Sequence, residues 1–197
     1  NLLKGQGQAR AYLQLTNPIS NQVPQPFKYQ SADTVLTMQV LEAVVPGSAE
    51  DFIRNQLLKP MGIINYGWQE DLSGFPKSAA GSSVLSRDMI KMGLLTLNKG
   101  IWNGKQHLPK EFVKQATSPL VQTSPSTFYG YFWWNQTLDI GDRKYDSIQG
   151  RGAGGQFIFI IPTLELVISA TAHNQGMGKM RAQLPHYLIP AFSMVKK

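Results

Sequence analysis

Cysteine is absent from the 197 residues, which excludes disulfides, thiolate metal sites and a cysteine nucleophile and is compatible with a reducing or an oxidising compartment. Long apolar runs are missing too. No stretch approaches the roughly 18 uninterrupted apolar residues of a spanning helix, so no membrane span is expected, and Asn1-Leu2-Leu3-Lys4 is not the start of a signal peptide. Histidine is scarce: His107, His173 and His186 stand far apart without HxxxH or HExxH spacing, so a metal site is not expected; no cofactor is expected either. Acidic residues are few, 12 against 19 Lys and Arg, for a net charge of +7 and a pI near 9.6. That excess would suit nucleic acid only if it were clustered. The basic residues are instead scattered from Lys4 to Lys197 and adjacent only at Arg143-Lys144 and Lys196-Lys197, which argues against a nucleic-acid partner.

What is present is enough apolar content, 42%, for one sizeable core. Residues 1–26 are rich in Gln, Asn and Pro and form an irregular lead-in, with a short strand or helix around Tyr12 to Leu15. Helical patterning fills 27–125. Ser31 is a natural N-cap for a helix with apolar positions Leu36, Val40, Leu41 and Val44, stopped by Pro46-Gly47. A second helix opens at Ser48 with Asp51 three residues on, buries Phe52, Ile53 and Leu57, and breaks at Lys59-Pro60-Met61-Gly62. Ser86 caps a third with Ile90, Gly93, Leu94 and Leu97 in one stripe, and Pro109 starts a fourth carrying Phe112, Val113 and Ala116. Between these two, Lys99 to Lys105 is a turn. In 126–197 the pattern changes: Phe128–Trp134, Phe157–Ile161 and Leu164–Thr171 are aromatic and β-branched runs that predict three antiparallel strands. Pro162-Thr163-Leu164-Glu165 connects the last two, and Met180–Val195 is a closing helix interrupted by Pro185 and Pro190. All three stretches are assigned to one domain.

Two segments carry chemistry. Gly150, Gly152 and Gly155 match GxGxxG, but a dinucleotide site needs a helix after the motif and a strand follows here. The segment fits a glycine-rich approach to an antiparallel strand, where missing side chains let a ligand lie against backbone N–H groups; a bulge or tight turn is the plain structural alternative. Tyr29 stands in Tyr-x-Ser at the start of a helix, where a phenol can be held near the helix N-terminus. In serine hydrolases with an SxxK nucleophile motif, a residue from a Tyr-x-Asn or Ser-x-Asn element completes the proton shuttle. No SxxK precedes Tyr29. The one that occurs, Ser193-Met194-Val195-Lys196, follows the glycine segment and ends one residue short of Lys197, where fraying would defeat a fixed serine–lysine geometry.

Five elements occur in order: Phe27-Lys28-Tyr29-Gln30-Ser31-Ala32-Asp33, Leu57-Leu58-Lys59-Pro60-Met61-Gly62, Ser86-Arg87-Asp88-Met89, Tyr129-Gly130-Tyr131-Phe132-Trp133-Trp134 and Arg151-Gly152-Ala153-Gly154-Gly155-Gln156. In that order they make the chain resemble the C-terminal part of the penicillin-binding-protein and class C β-lactamase-like serine hydrolases. Within these it is most similar to the branch of esterases and 6-aminohexanoate-oligomer hydrolases. The resemblance implies a β-lactamase-like α/β fold, an α+β sandwich of helices, then antiparallel strands, then a C-terminal helix. It implies cleavage of esters or small amides through an acyl-serine intermediate, with the nucleophilic serine and its lysine supplied by sequence outside this chain, which alone would be inactive. The missing N-terminal part of the same protein is then the expected partner beside a small-molecule ester or amide, and the resemblance favours a periplasmic or secreted location.

Carried over by position, Tyr29 takes the catalytic tyrosine's place and Ser31 that of the motif asparagine. Gly152-Ala153-Gly154 replaces the Lys-Thr-Gly strand element, with the Ala153 N–H as one oxyanion donor. The lysine of that element, the usual carboxylate anchor, is lost; Arg151 either compensates or points at solvent. Trp68 is assigned to the pocket lining, whereas Trp133-Trp134 should give at least one ring to the core. Two other classes stay open: a non-catalytic binding or regulatory relative, and a glycan- or peptidoglycan-binding module using its tryptophans.

Overall fold

The computed structural model describes residues 10, 12–14, 27–173 and 178–193. Arg10 and Tyr12 to Gln14 are helical; Leu15 lies outside the described residues. Helix α1 (Ser31–Val44) starts one residue earlier than the capping signal implied. Gln30, extended at φ −139°, is its N-cap without a side-chain bond, and Ser31 is its first helical residue. The apolar stripe also needs correction: Met38 is the buried position, while Val40 and Val44 are exposed. Leu36, Val40 and Val44 share a row at i, i+4 and i+8, but Met38 points roughly 160° away from Val40 around the axis, so the helix rests on a different side.

Helix α2 (Ala49–Ile53) opens as expected, with the Ser48 hydroxyl accepting the Asp51 N–H at 3.1 Å. It runs on into a single π turn, Arg54–Leu58, which periodicity alone does not announce. Behind it Leu58, Met61 and Ile63 are buried, the chain being turned by the Ile63 N–H bond to the Leu58 carbonyl at 2.8 Å and by Gly62 at φ 66°. Two short strands, β1 (Tyr66–Trp68) and β2 (Ser82–Val84), then pair antiparallel. The chain divides just after them into two units, Asn1–Leu85 and Ser86–Lys197.

The second unit begins with helix α3 (Ser86–Leu97), which packs on strands β9 (Gln156–Ile161) and β10 (Leu166–Ala170). Ser86 is its first helical residue, with its hydroxyl 3.1 Å from that of Thr171. The expected turn after α3 is a small hairpin of β3 (Ile101–Trp102) and β4 (Lys105–Gln106), closed by Asn103-Gly104 with both φ positive, the combination a type I′ turn demands. Pro109 is the N-cap of α4 (Lys110–Ala116).

Six strands follow where three were expected. These are β5 (Val121–Ser124), β6 (Thr127–Gly130), β7 (Trp133–Ile140), β8 (Arg143–Gly152), β9 and β10, all antiparallel and in the spatial order β10-β9-β8-β7-β6-β5. The aromatic run Phe128–Trp134 is therefore not one strand. It breaks at Tyr131 (φ 45°) and Phe132 (φ 71°), which reverse the chain between β6 and β7. Primed two-residue turns normally use Asn or Gly, so two aromatics hid this one. Strand β8 was missed because its inward side is polar as well as apolar: Tyr145, Ser147 and Gln149 are all buried.

Helix α5 (Gly178–Ser193) keeps Pro185 and Pro190 inside it instead of being interrupted. Residues 194–197 lie outside the description. Ile189 of α5 joins Ile140, Tyr145, Phe157, Phe159, Ile161 and Ile168 in the core of this unit. Register puts Trp134, Gln136, Gln149, Arg151 and Phe157 on that same α5-facing side.

Candidate active site

The nominated residues fall into both units: Tyr29, Ser31 and Trp68 in the first, Arg151, Gly152, Ala153 and Gly154 in the second. Tyr29 is 57% exposed and immediately precedes the Gln30 N-cap, so its ring sits at the start of α1. Ser31 is exposed, and its carbonyl accepts the Thr34 hydroxyl at 2.6 Å. This first turn has a companion that the sequence did not single out. The Tyr12 hydroxyl donates to Asp33 Oδ1 at 3.1 Å and accepts from Gln30 Nε2 at 3.4 Å. Loss of solvent around the phenol raises the Tyr12 pKa, and the Asp33 hydrogen bond and charge add to it. The contact spans 21 residues, so no local pattern could have shown it. Trp68 is half-buried on β1, and its indole Nε1 donates to the Lys77 carbonyl at 2.6 Å.

The glycine segment forms the β8–β9 hairpin turn. Gly152 pairs with Gln156, leaving Ala153, Gly154 and Gly155 as a three-residue loop. Gly154 and Gly155 have φ of 86° and 105°, a region that side chains resist. Gly152 is needed for space: a Cβ there would lie 3.0 Å from Gln156 Cβ and 3.2 Å from its carbonyl oxygen. Gln156 is itself tied down by its Nε2 bond to the Ala172 carbonyl at 2.7 Å. Ala153 is exposed, and among the described residues its N–H makes no hydrogen bond. A strand, not a helix, follows the motif.

Beneath the turn runs a polar ladder. The Ser147 hydroxyl donates to the Gln136 carbonyl at 2.6 Å and accepts from Gln149 Nε2 at 2.6 Å. Arg151 Nε donates to Gln149 Oε1 at 2.9 Å, and Arg151 Nη2 to Gln136 Oε1 at 2.7 Å. The guanidinium carbon lies 4.7 Å from the centre of the Trp134 ring, which in turn packs against Tyr129 with centroids 4.7 Å apart and the ring planes tilted by 58°. Both glutamines are neutral, and no ion pair to Arg151 forms among the described residues. Burial pushes the Arg151 pKa down to about 10, with the positive charge of Arg181 on α5 adding to the effect. A sequence could nominate Arg151 by its place beside the turn; its partners, 2 and 15 residues away, are set by strand register.

A cavity of about 650 Å³ in this unit is lined by Thr117, Phe128, Asn135 and Asp146 among others, and also by Gln136 and Ser147 of the ladder. It contains none of the nominated residues. Among the described residues no group of three or more His, Asp or Glu could hold a metal, and no helix is long and apolar enough to cross a membrane.

The Beta-lactamase family model matches residues 4–191. The chain belongs to the Beta-lactamase family. It is similar in structure to a candidate 6-aminohexanoate-dimer hydrolase from Bacillus anthracis, with a TM-score of 0.76 and 19% identity over 95% of this chain and 49% of that one. A penicillin-binding protein from Bacillus halodurans aligns with a TM-score of 0.66 and 17% identity over 92% of this chain and 62% of its own. A class C β-lactamase gives 0.72 and 14% over 96% and 64%. At these identities the likeness is one of fold: a β-lactamase-like arrangement of helices, antiparallel sheet and C-terminal helix. The chain spans about half to just under two thirds of the length of these structures. Comparison with curated proteins finds no match.

Proposed function

We propose that this Beta-lactamase-family chain is the tyrosine-bearing part of a serine hydrolase that cleaves esters or small amides through an acyl-serine intermediate. The observation that carries the reading is the Ala153 N–H. It is exposed and makes no hydrogen bond among the described residues, in a turn whose shape Gly152 and Gly154 dictate. A donor held in place by a hairpin and open to solvent costs no reorganisation when an oxyanion develops in front of it. Tyr29 takes the general-base role toward the serine and the acid role toward the leaving group, its phenol placed by the start of α1. The nucleophile and its lysine come from sequence beyond this chain, and the small-molecule substrate is met together with that part of the protein.

The test has two arms. Purified material is treated with a fluorophosphonate probe and intact masses are read under denaturing conditions. Label on a second, co-purifying polypeptide supports the reading, and label on this chain, with Ser193 as the site, overturns it. In a protein that carries the nucleophile, Tyr29→Phe is expected to lower kcat by about 10²–10⁴-fold, the range of general acid–base contributions, with KM little changed. Unchanged kcat would remove Tyr29 from the mechanism.

A further inference from the structure

Arg151 is expensive to keep where it is. A guanidinium more than half withdrawn from water, close to a second arginine and bonded among the described residues only to neutral groups, loses hydration without the Coulombic return of a carboxylate. Its geometry shows what it does there. Nε and Nη2, two prongs of one rigid planar fork, reach Gln149 on its own strand and Gln136 on the neighbouring strand, while the guanidinium carbon lies over the Trp134 ring. The fork therefore fixes β7 against β8 one residue before Gly152. Gln149, 1% exposed, passes the constraint to Ser147 and back to the Gln136 carbonyl, closing a ring of four hydrogen bonds across the two strands.

We propose that Arg151 is a positioning residue: through Gln136, Gln149 and Trp134 it sets the register and orientation of the Gly152–Gly155 turn, and with it the direction of the Ala153 N–H. It does not contact substrate. Lysine cannot replace it, because a single ammonium nitrogen lacks the planar fork and the stacking face. The significance for catalysis rests on the function proposed above; the effect on the turn does not.

Amide hydrogen exchange on the 197-residue chain tests the second point independently. In Arg151→Gln, the Gly152, Gly155 and Gln156 amides are expected to exchange about tenfold faster, equivalent to about 1.4 kcal/mol, with the Ile160 and Ile168 amides unchanged. Gln136→Leu, which removes only the Nη2 arm, should give a smaller increase at the same amides, and the double variant no more than Arg151→Gln alone, because that substitution already removes the arm. Arg151→Lys should stay close to Arg151→Gln. Full recovery in the lysine variant, no local change, or an equal rise at Ile160 and Ile168 overturns the proposal. In a protein carrying the nucleophile, Arg151→Gln should lower kcat about tenfold at constant KM. A rise in KM alone would make Arg151 a substrate contact, again overturning the positioning role, whereas loss of turn protection without any turnover in the unsubstituted protein would count against the hydrolase reading only.

Discussion

Gly154 is a residue whose identity the backbone requires. At φ 86° an L side chain costs roughly 1–2 kcal/mol, although a Cβ there would meet nothing closer than 3.7 Å. The strain, not a clash, decides the outcome. Gly154→Ala is therefore expected to lower the unfolding free energy by about 1 kcal/mol in urea titration without changing the denaturant slope. Gly150, two positions before Gly152, is the contrast: its added Cβ would make ordinary contacts at 3.7 Å or more and its φ is not positive, so alanine is tolerated there. The glycines of the motif looked equivalent in sequence; backbone angle at Gly155 and the nearness of Gln156 at Gly152 separate them from Gly150. Tyr29 and Ala153 were open to nomination because their neighbours in the chain form motifs. Tyr12, Gln136 and Gln149 were not, because what matters about them is a partner on another element.

At the scale of elements, the close approach of α3 to the sheet turns on Gly93. A Cβ there would fall 2.4 Å from Val167 Cγ1 and 3.0 Å from Ile158 Cγ2. Alanine would gain up to about 1 kcal/mol of helix propensity but overpack the contact at a cost of about 1–3 kcal/mol. Gly93→Ala is expected to be destabilising by about 1 kcal/mol, and to couple favourably with Val167→Ala in a double-mutant cycle read by thermal or urea unfolding. Legibility followed the same physics. The α3 stripe of Ile90, Gly93, Leu94 and Leu97 was readable only in part: Gly93 is buried, but the other buried positions are Asp88 and Leu95, which lie off it. The α1 stripe misled because only Met38 of that helix is buried. Strand β8 escaped notice since its buried Ser147 and Gln149 satisfy each other, something that alternation of apolar and polar residues does not encode.

At the scale of the molecule, residues 86–197 contain a complete set of core contacts from Ile140 to Ile189 and form one of the two units. Expressed by themselves, they are expected to melt in a single cooperative transition followed by far-UV circular dichroism. A broad, non-cooperative melt would show that residues 1–85 are needed to complete the core. The β-lactamase-like class was legible from the order of five short motifs, whereas the number of strands was not, because turns such as Tyr131-Phe132 lack the usual turn residues.

The strand order of the sheet carries one more consequence, and it concerns time. Each of the six strands pairs with its immediate neighbour in the sequence, so every rung of the ladder closes a short loop. Chains built of such local pairings reach their native state faster than those that must join distant segments. As this stretch is synthesised, the partner of each new strand is the one made just before it, so strand pairing never waits for a distant segment.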